Sequence, residues 1–509
     1  MAPKPDDVRR RAVDRCRERN ILIPTFAEMR DPQNIDPAVR RRLAHLDMQE
    51  PHPANLFRIT WKNDVLTGGF AAPNCFEIPS ELTGVRARII GMVGKHFPTG
   101  AHKVGAAFGC LVPRLVNGQF DPTEQRAVWP STGNYCRGGV FDSAVLGCQA
   151  VAILPEGMSR ERFEWLEKMG AEIIATPGTE ANVKEIFDAC WDLQRKNPKD
   201  VILNQFAEMG NYLWHHAVTG PSAEEAFQML AAPRDRFAAW VSATGSAGTI
   251  AAGDYLKKTI PGCRVGAAEP IQCPTLLSAG HGDHRIEGIG DKHVPWIHNV
   301  RMTDVVIAVD DRATLRLLRL FNEPAGQDLL SQRGLGDEVI AQLPLLGISS
   351  ICNLLAAIKM SLYFEYDEND VIFMSLTDSA DLYRSYLRGW NEERGAYTSL
   401  HAAVDHERFL LATTTDHMKE LTYPDQKVIH NLKYFTWVEQ QQRKTEELAA
   451  LWNPLFWRDQ VRMLKVWDES IREFNRDTGV LDRIRRETTP ARQEHPEDPP
   501  VTESTNEPE

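Results

Sequence analysis

The 509-residue sequence predicts a parallel α/β fold with a helical C-terminal appendage, and two patterns carry that prediction. Between residues 57 and 389, short apolar runs alternate with amphipathic stretches: AVLGCQAVAILPE, RERFEWLEKMG, AEIIATPG, ANVKEIFDACWDLQRK and VILNQF follow one another in that order. Strand, helix, strand in regular succession is the mark of parallel sheets covered by helices. The second pattern is the strand, Gly-rich turn and helix read in AAWVSATGSAGTIAAGDYLKKTI (238–260), with a similar run in VIFMSLTDSADLYRSYL (371–387). Strand-to-helix turns of this kind are where α/β folds place ligands.

Four segments follow from composition. Residues 1–55, rich in Arg, Asp and Pro, read as a helix and an extended arm rather than as core, packing on a neighbour or a partner subunit. Residues 56–395 form the α/β core, with a smaller subdomain at roughly 105–210 inserted in the larger one; within it PAGQDLLSQRGLGDEVIAQLPL (324–345) reads as an insertion. Residues 396–487 read as wholly helical, with Trp437, Trp452, Trp457 and Trp467 offering a packing face and Pro454 as punctuation. Residues 488–509, TTPARQEHPEDPPVTESTNEPE, are rich in Pro, Glu and Thr and are expected to be disordered. No internal repeat is present.

The net charge is −12 and no basic stripe is interleaved with aromatics, which argues against nucleic-acid binding. Nine cysteines lie scattered without C-x-x-C spacing, so neither a disulfide framework nor a metal site is expected, and reduced thiols fit best. The first twenty residues are charged throughout, and no window reaches the about 18 apolar residues of a membrane span. A soluble, cytoplasmic protein is expected.

Three turns carry candidate chemistry. HFPTGAHKVGAA (96–107) places Lys103 after a Pro-Thr-Gly turn and before small residues that can start a helix. A lysine forms a Schiff base only when partly deprotonated, which burial or a neighbouring cation promotes. TGSAGTIAAG (244–253) can converge backbone N–H groups on one phosphate; it fits neither a nucleotide P-loop nor a dinucleotide fingerprint. STGNYCRGG (131–139) offers donors for a carboxylate from Ser131, Thr132 and Gly133, while Asn134 offers a donor and an acceptor to a ring oxygen. Read alone, that last loop equally suits a helix cap.

Together these motifs resemble the fold-type II pyridoxal-phosphate enzymes, in particular the cysteine synthase and cystathionine β-synthase family. PTGAHK resembles the family's N-P-T-G-S-x-K segment, which implies Lys103 as the cofactor-bearing lysine; STGNYCRGG resembles S-S-G-N-T-G, which implies Asn134 at the cofactor's 3′-oxygen and Tyr135 at the substrate. LPEGMSRERFEWLEKMGAEIIATPG (154–178) is similar almost residue for residue to a run in which no catalytic residue is needed. NQFAEMGNYLWHHAVTGP implies Gln205 as a carboxylate ligand, and GSAGTI implies Gly245, Ser246, Ala247, Gly248 and Thr249 as the phosphate cup. IEGIG (286–290) implies a close backbone approach at Gly288, GISS (347–350) matches a late helix start, and LTDSADLY implies Ser379 opposite the pyridine nitrogen. Cys136 and Arg137 depart from the small residues of the family loop, so the resemblance does not define the substrate.

The resemblance implies a tryptophan synthase β-like core of two open, mostly parallel sheets, pyridoxal 5′-phosphate as cofactor and a homodimer. It further implies β-replacement or β-elimination on a serine- or cysteine-type amino acid through an aminoacrylate, with a thiol or another nucleophile as second substrate. Lys103 would then also act as base at the substrate α-carbon. A dehydratase or threonine synthase-like enzyme shares the fold and the lysine. A binding protein that keeps the fold without turnover is the reading from another class.

Overall fold

The computed structural model describes residues 4–131, 133–178 and 182–488; Thr132 and the expected disordered tail from 489 onward lie outside the described residues. Seven strands form the larger sheet: β1 (Cys75–Ile78), β2 (Arg88–Val93), β7 (Arg236–Ala243), β8 (Arg264–Pro270), β9 (Val305–Val309), β10 (Asp370–Leu376) and β11 (Met418–Glu420). Four form the smaller one: β3 (Arg126–Pro130), β4 (Gln149–Pro155), β5 (Glu172–Thr176) and β6 (Val201–Ile202). The strand orders are β1-β2-β10-β7-β8-β9-β11 and β5-β4-β3-β6. The smaller sheet is parallel throughout, and in the larger one only the edge strands β1 and β11 run antiparallel.

Every residue of β10 is buried, which is why its centre reads as the continuous apolar run VIFM instead of alternating. The last strand of the core in sequence is thus inserted between β2 and β7, and the connections leave its two sides in opposite directions. A crevice opens at the carboxyl ends of strands at such a switch point. Four of those ends deliver the candidate residues. After β2 comes the turn to Lys103, after β7 the glycine-rich cup, after β10 Thr377, and after β3 of the smaller sheet Ser131 and Asn134.

The expectation that residues 1–55 stay out of a core is corrected by the structure. The helix Pro5–Glu18 turns Ala12, Val13 and Cys16 inward, and Ile21, Ile23, Phe26 and Met29 continue into the same cluster as Val104, Phe108 and Leu111. Charged residues on the outer face conceal this amphipathic stripe from composition-based reading. The other end of the chain meets it there. Ile471 and Phe474 of the helix Pro454–Thr478 enter the same cluster, Phe26 N–H donates to Asp468 Oδ1 (2.7 Å), and Asn475 Nδ2 donates to the Ile23 carbonyl (2.7 Å).

The C-terminal region is helical except for β11, so the wholly helical expectation for residues 400–485 is also corrected. Three residues pairing at an edge leave no readable periodicity. This region clamps the segment that follows IEGIG. Trp437 Nε1 donates to the Val294 carbonyl (2.9 Å), and Lys433 Nζ donates to the carbonyls of Trp296 (3.0 Å) and His298 (2.6 Å). Burial without an acidic partner pulls the Lys433 amine down to about 7. The stretch 324–345 folds as two short helices, Pro324–Gln332 and Asp337–Gln342, followed by a 3-10 turn, Leu343–Leu345, and Leu330, Leu335 and Leu343 of this stretch join the core behind β9 and β10.

His293 lies under this clamp, against Phe206 (ring centroids 4.8 Å), Phe187 (5.8 Å) and Trp437 (5.7 Å). Burial pulls its imidazole down to about 3. The unfolded chain therefore takes up this proton below about pH 6.5 and the folded chain does not, so stability is lost as pH falls. His293→Phe removes that linkage. Its stability relative to the parent is expected to rise by about 1.4 kcal/mol per pH unit between pH 6 and 4, read from urea unfolding at each pH.

Candidate active site

Lys103 is the first residue of the helix Lys103–Val116, reached through a turn in which Thr99 (φ 71°) and Gly100 (φ 72°) are left-handed. That turn reverses the chain after β2 and drives the lysine into a cavity of about 470 Å³. Its Nζ lies 3.0 Å from Ser246 Oγ and 3.5 Å from Gln205 Oε1. Three segments far apart in sequence therefore meet at one amine. Beneath it, His102 is fully buried and its imidazole is pushed down to about 3, by burial first and the Lys103 charge second. A neutral ring there adds no second cation beside the amine.

The cup residues Gly245, Ser246, Ala247, Gly248 and Thr249 all line the cavity. Their backbone is tightly held. A Cβ at Gly245 would come within 2.3 Å of the Gly288 carbonyl, and one at Gly248 within 2.1 Å of Asn211 Oδ1. Ala247 sits at φ 61°, left-handed backbone that costs a non-glycine residue about 1 kcal/mol and is a form of strain found where ligands are gripped. Asn211 fixes the floor, with Nδ2 donating to Ser246 Oγ (2.9 Å) and to the Gln205 carbonyl (3.0 Å).

The opposite wall carries Ser131, Asn134, Tyr135 and Gln205, with Gly288 and Thr377 at the rim. Gly133 stands at φ 147°, and its N–H donates to Ser131 Oγ (3.0 Å). Glycine is required there on a second count. A Cβ would fall 1.8 Å from Arg162 Nη1. Tyr135 turns its hydroxyl away from the cavity to the Leu203 carbonyl (3.0 Å).

Two expected site residues among the described residues, Gly133 and Ser379, are not in the cavity lining, and Ser379 is directed elsewhere. Its hydroxyl donates to Asp381 Oδ2 (3.3 Å), which is also ion-paired with Lys95 (2.7 Å), and Thr377 takes its place at the cavity. The 3-10 turn Ala380–Tyr383 begins immediately after Ser379 and bends the chain away.

Sequence reading missed a buried charge network that joins the two sheets' subdomains. Arg162, at zero exposure, pairs with Glu287 Oε2 (2.8 Å) and Asp378 Oδ2 (3.7 Å), and donates to Tyr383 Oη (3.0 Å). Asp378 Oδ2 in turn accepts from Asn134 Nδ2 (2.7 Å) and Tyr383 Oη (2.8 Å). Burial raises both carboxyls, and the Arg162 charge is the largest influence holding each down.

These residues fit the cofactor that the resemblance implies. The cup presents main-chain amides at the carboxyl end of β7, a lysine amine stands beside it, and Asn134 Oδ1 is buried at the cavity without a partner. A phosphate, an aldehyde carbon and a ring oxygen are the groups those three positions would hold.

Comparison with known proteins agrees. The family profile described as pyridoxal-phosphate dependent enzyme matches residues 92–329. The chain is 30% identical over 215 residues to a probable cysteine synthase of Bacillus subtilis, covering 42% of this chain and 68% of that one. It is 28% identical over 320 residues to the cystathionine beta-synthase of Saccharomyces cerevisiae, covering 61% of this chain and 59% of that one. Among solved structures, the O-acetylserine dependent cystathionine beta-synthase of Helicobacter pylori superposes with a TM-score of 0.52 at 21% identity, covering 61% of this chain and 96% of that one, which speaks to the fold. The chain belongs to the pyridoxal-phosphate-dependent cysteine synthase and cystathionine β-synthase family.

Proposed function

We propose that the protein catalyses β-replacement or β-elimination on a serine- or cysteine-type amino acid, with a thiol or a similar nucleophile as the second substrate. The observation that carries this reading is the meeting of Lys103 Nζ with Ser246 of the cup and Gln205 of the opposite wall in one cavity. Bound pyridoxal phosphate supplies an electron sink for charge developing at the substrate α-carbon. The remaining tasks fall to side chains of this chain. Lys103 would anchor the cofactor and, once exchanged for the substrate amine, take and return the α-proton, since its amine is held within the same cavity. Gly245 to Thr249 would hold the phosphate through main-chain N–H groups, and Asn134 would orient the ring. Ser131 and Gln205, with Thr132 and the Gly133 amide, would bind the substrate carboxylate and so select which bond at the α-carbon breaks.

Relatives named cysteine synthase and cystathionine beta-synthase favour this reading over a dehydratase. A homodimer working in the cytoplasm is part of the proposal. The decisive assay offers the cofactor-loaded protein a panel of β-substituted amino acids with and without thiols, and measures thioether or cysteine formation against release of pyruvate or 2-oxobutyrate. Thiol-dependent adducts are the expected result. Oxo-acid release unaffected by thiols would favour the dehydratase, and no α-proton exchange with any amino acid would favour a binding protein.

A further inference from the structure

A second cavity lies at the carboxyl edge of β8 and β9, on the same side of the larger sheet as the active site but walled differently. It encloses about 1510 Å³ and is lined by five arginines, Arg285, Arg312, Arg316, Arg394 and Arg408, around the ring of Trp390. For a chain of net charge −12 this is a local reversal of sign. We propose that this groove binds a small polyanion, a molecule carrying two or more phosphate or carboxylate groups close together.

The pairing pattern supports a ligand site over a structural ion network. Arg319, next door, shows what a structural arginine looks like here: its guanidinium is bonded to Asn391 Oδ1 (2.5 Å) and Glu323 Oε1 (3.3 Å) and lies over Tyr397 (4.6 Å). In the groove, by contrast, the guanidiniums of Arg285, Arg312, Arg394 and Arg408 have no carboxylate within 4 Å among the described residues, and Arg316 has only Asp405 at 3.9 Å. The two acids of the lining are already engaged. Asp310 Oδ1 accepts from Gln272 Nε2 (2.7 Å) and from the Arg312 N–H (3.0 Å), and Asp311 Oδ2 accepts from the Arg285 N–H (3.0 Å). They shape the two loops and, still charged, offset two of the five cations, so the lining keeps an excess of positive charge.

Three of the five heads also lie over aromatic rings. Arg316 and Arg394 stack on Trp390 at 5.8 and 5.2 Å, and Arg408 on Phe409 at 5.4 Å. A guanidinium fixed by an aromatic face loses less freedom on binding and presents its planar fork for bidentate contact, which suits phosphate and carboxylate oxygens. An excess of like charge gathered in one lining is unfavourable to keep together, and an anion between the guanidiniums reduces that repulsion. The arginines gather around one concave, solvent-open groove rather than along a stripe, so a small molecule fits it better than a nucleic acid. This inference stands apart from the proposed β-chemistry, because no residue of the groove lines the catalytic cavity.

The test uses the cofactor-loaded enzyme, so that the phosphate cup is filled and cannot compete. Isothermal titration with tripolyphosphate, ATP and citrate is compared for the parent and for Arg312→Ala/Arg394→Ala. Expected is saturable one-to-one binding of at least one of these ions, weakened at least tenfold in the double variant and reduced by added salt. ATP binding more tightly than tripolyphosphate would identify a base stacked on the aromatic wall, and citrate alone binding would identify a carboxylate ligand; both outcomes support the site. The melting temperature and cofactor absorbance of the double variant check that it is folded. Absence of saturable binding, or binding unchanged by the double substitution, would overturn the proposal. So would a sedimentation experiment in which the double substitution dissociates a dimer that excludes the polyanions, because the groove would then belong to a subunit interface.

Discussion

Lys103→Ala is expected to abolish turnover, with a loss of about 10³-fold or more, and to remove the near-visible absorbance of the bound cofactor while leaving the fold intact. Two separate contributions are deleted by this change. The first is covalent anchorage, for which Lys103 is the only lysine among the residues lining the cavity. The second is proton transfer at the substrate α-carbon, a contribution of typically about 10²–10⁴ when a positioned base is lost. The fold should survive because alanine is the best helix former and Lys103 is the first residue of its helix. Ser246 and Asn211 remain bonded to one another, so the cup is not dismantled. Added methylamine, small enough to occupy the vacated space, should restore part of the activity if the missing amine is the cause. Lys199→Ala serves as the control: it deletes an exposed pair with Glu124 and should leave turnover within about twofold. A Lys103→Ala protein that retained parental turnover and absorbance would remove the basis for the proposed function.

What was legible in the sequence was whatever is encoded locally. The cup, the Asn134 loop and the Lys103 turn each lie within about ten residues, because each is a strand end followed by a helix start, and that motif must be built from contiguous small and polar residues. The alternating apolar runs revealed the parallel sheets for the same reason. What stayed hidden depends on distant partners. Arg162, Glu287 and Asp378 meet across more than two hundred residues of chain, and nothing near Arg162 in sequence distinguishes it from the exposed Arg160 two positions earlier. The helix Pro5–Glu18 reads as a charged arm since its buried stripe is only Val8, Ala12, Val13 and Cys16. Ser379 illustrates the limit of motif transfer: LTDSADLY preserves the serine, but a neighbouring Asp381 that pairs with Lys95 draws its hydroxyl off the cavity.

Arg162→Met is expected to be the most destabilising single change at the site, costing about 3–5 kcal/mol near neutral pH. The argument is one of uncompensated burial. Arg162, Glu287 and Asp378 have side-chain exposures of 0, 2 and 0%, so removing the guanidinium strands two carboxylates where water cannot reach them. Their pKa values already lie above the ordinary carboxylate range through burial, and loss of the arginine charge raises them further. The pH dependence then has a definite sign. At pH above the unfolded carboxylate pKa values of about 4, the unfolded chain is ionised and the folded variant must either bury charge or bind protons, so the penalty grows with rising pH. As pH falls toward 5 the folded carboxyls are protonated at little cost, and the difference between variant and parent should shrink. Urea unfolding at pH 5 and pH 8 measures this directly; a penalty independent of pH would mean that lost packing, not stranded charge, is responsible. Adding Glu287→Gln and Asp378→Asn to Arg162→Met should recover part of the stability, because neutral amides need no counter-charge, although the amides cannot reproduce all of the acceptor bonds to Ser159 N–H and Tyr383. Recovery of stability need not bring recovery of substrate binding. Arg162 lies directly beneath Gly133, so its loss removes the floor of the loop proposed to bind the substrate carboxylate, and KM for the amino acid is expected to stay raised in the neutralised variant.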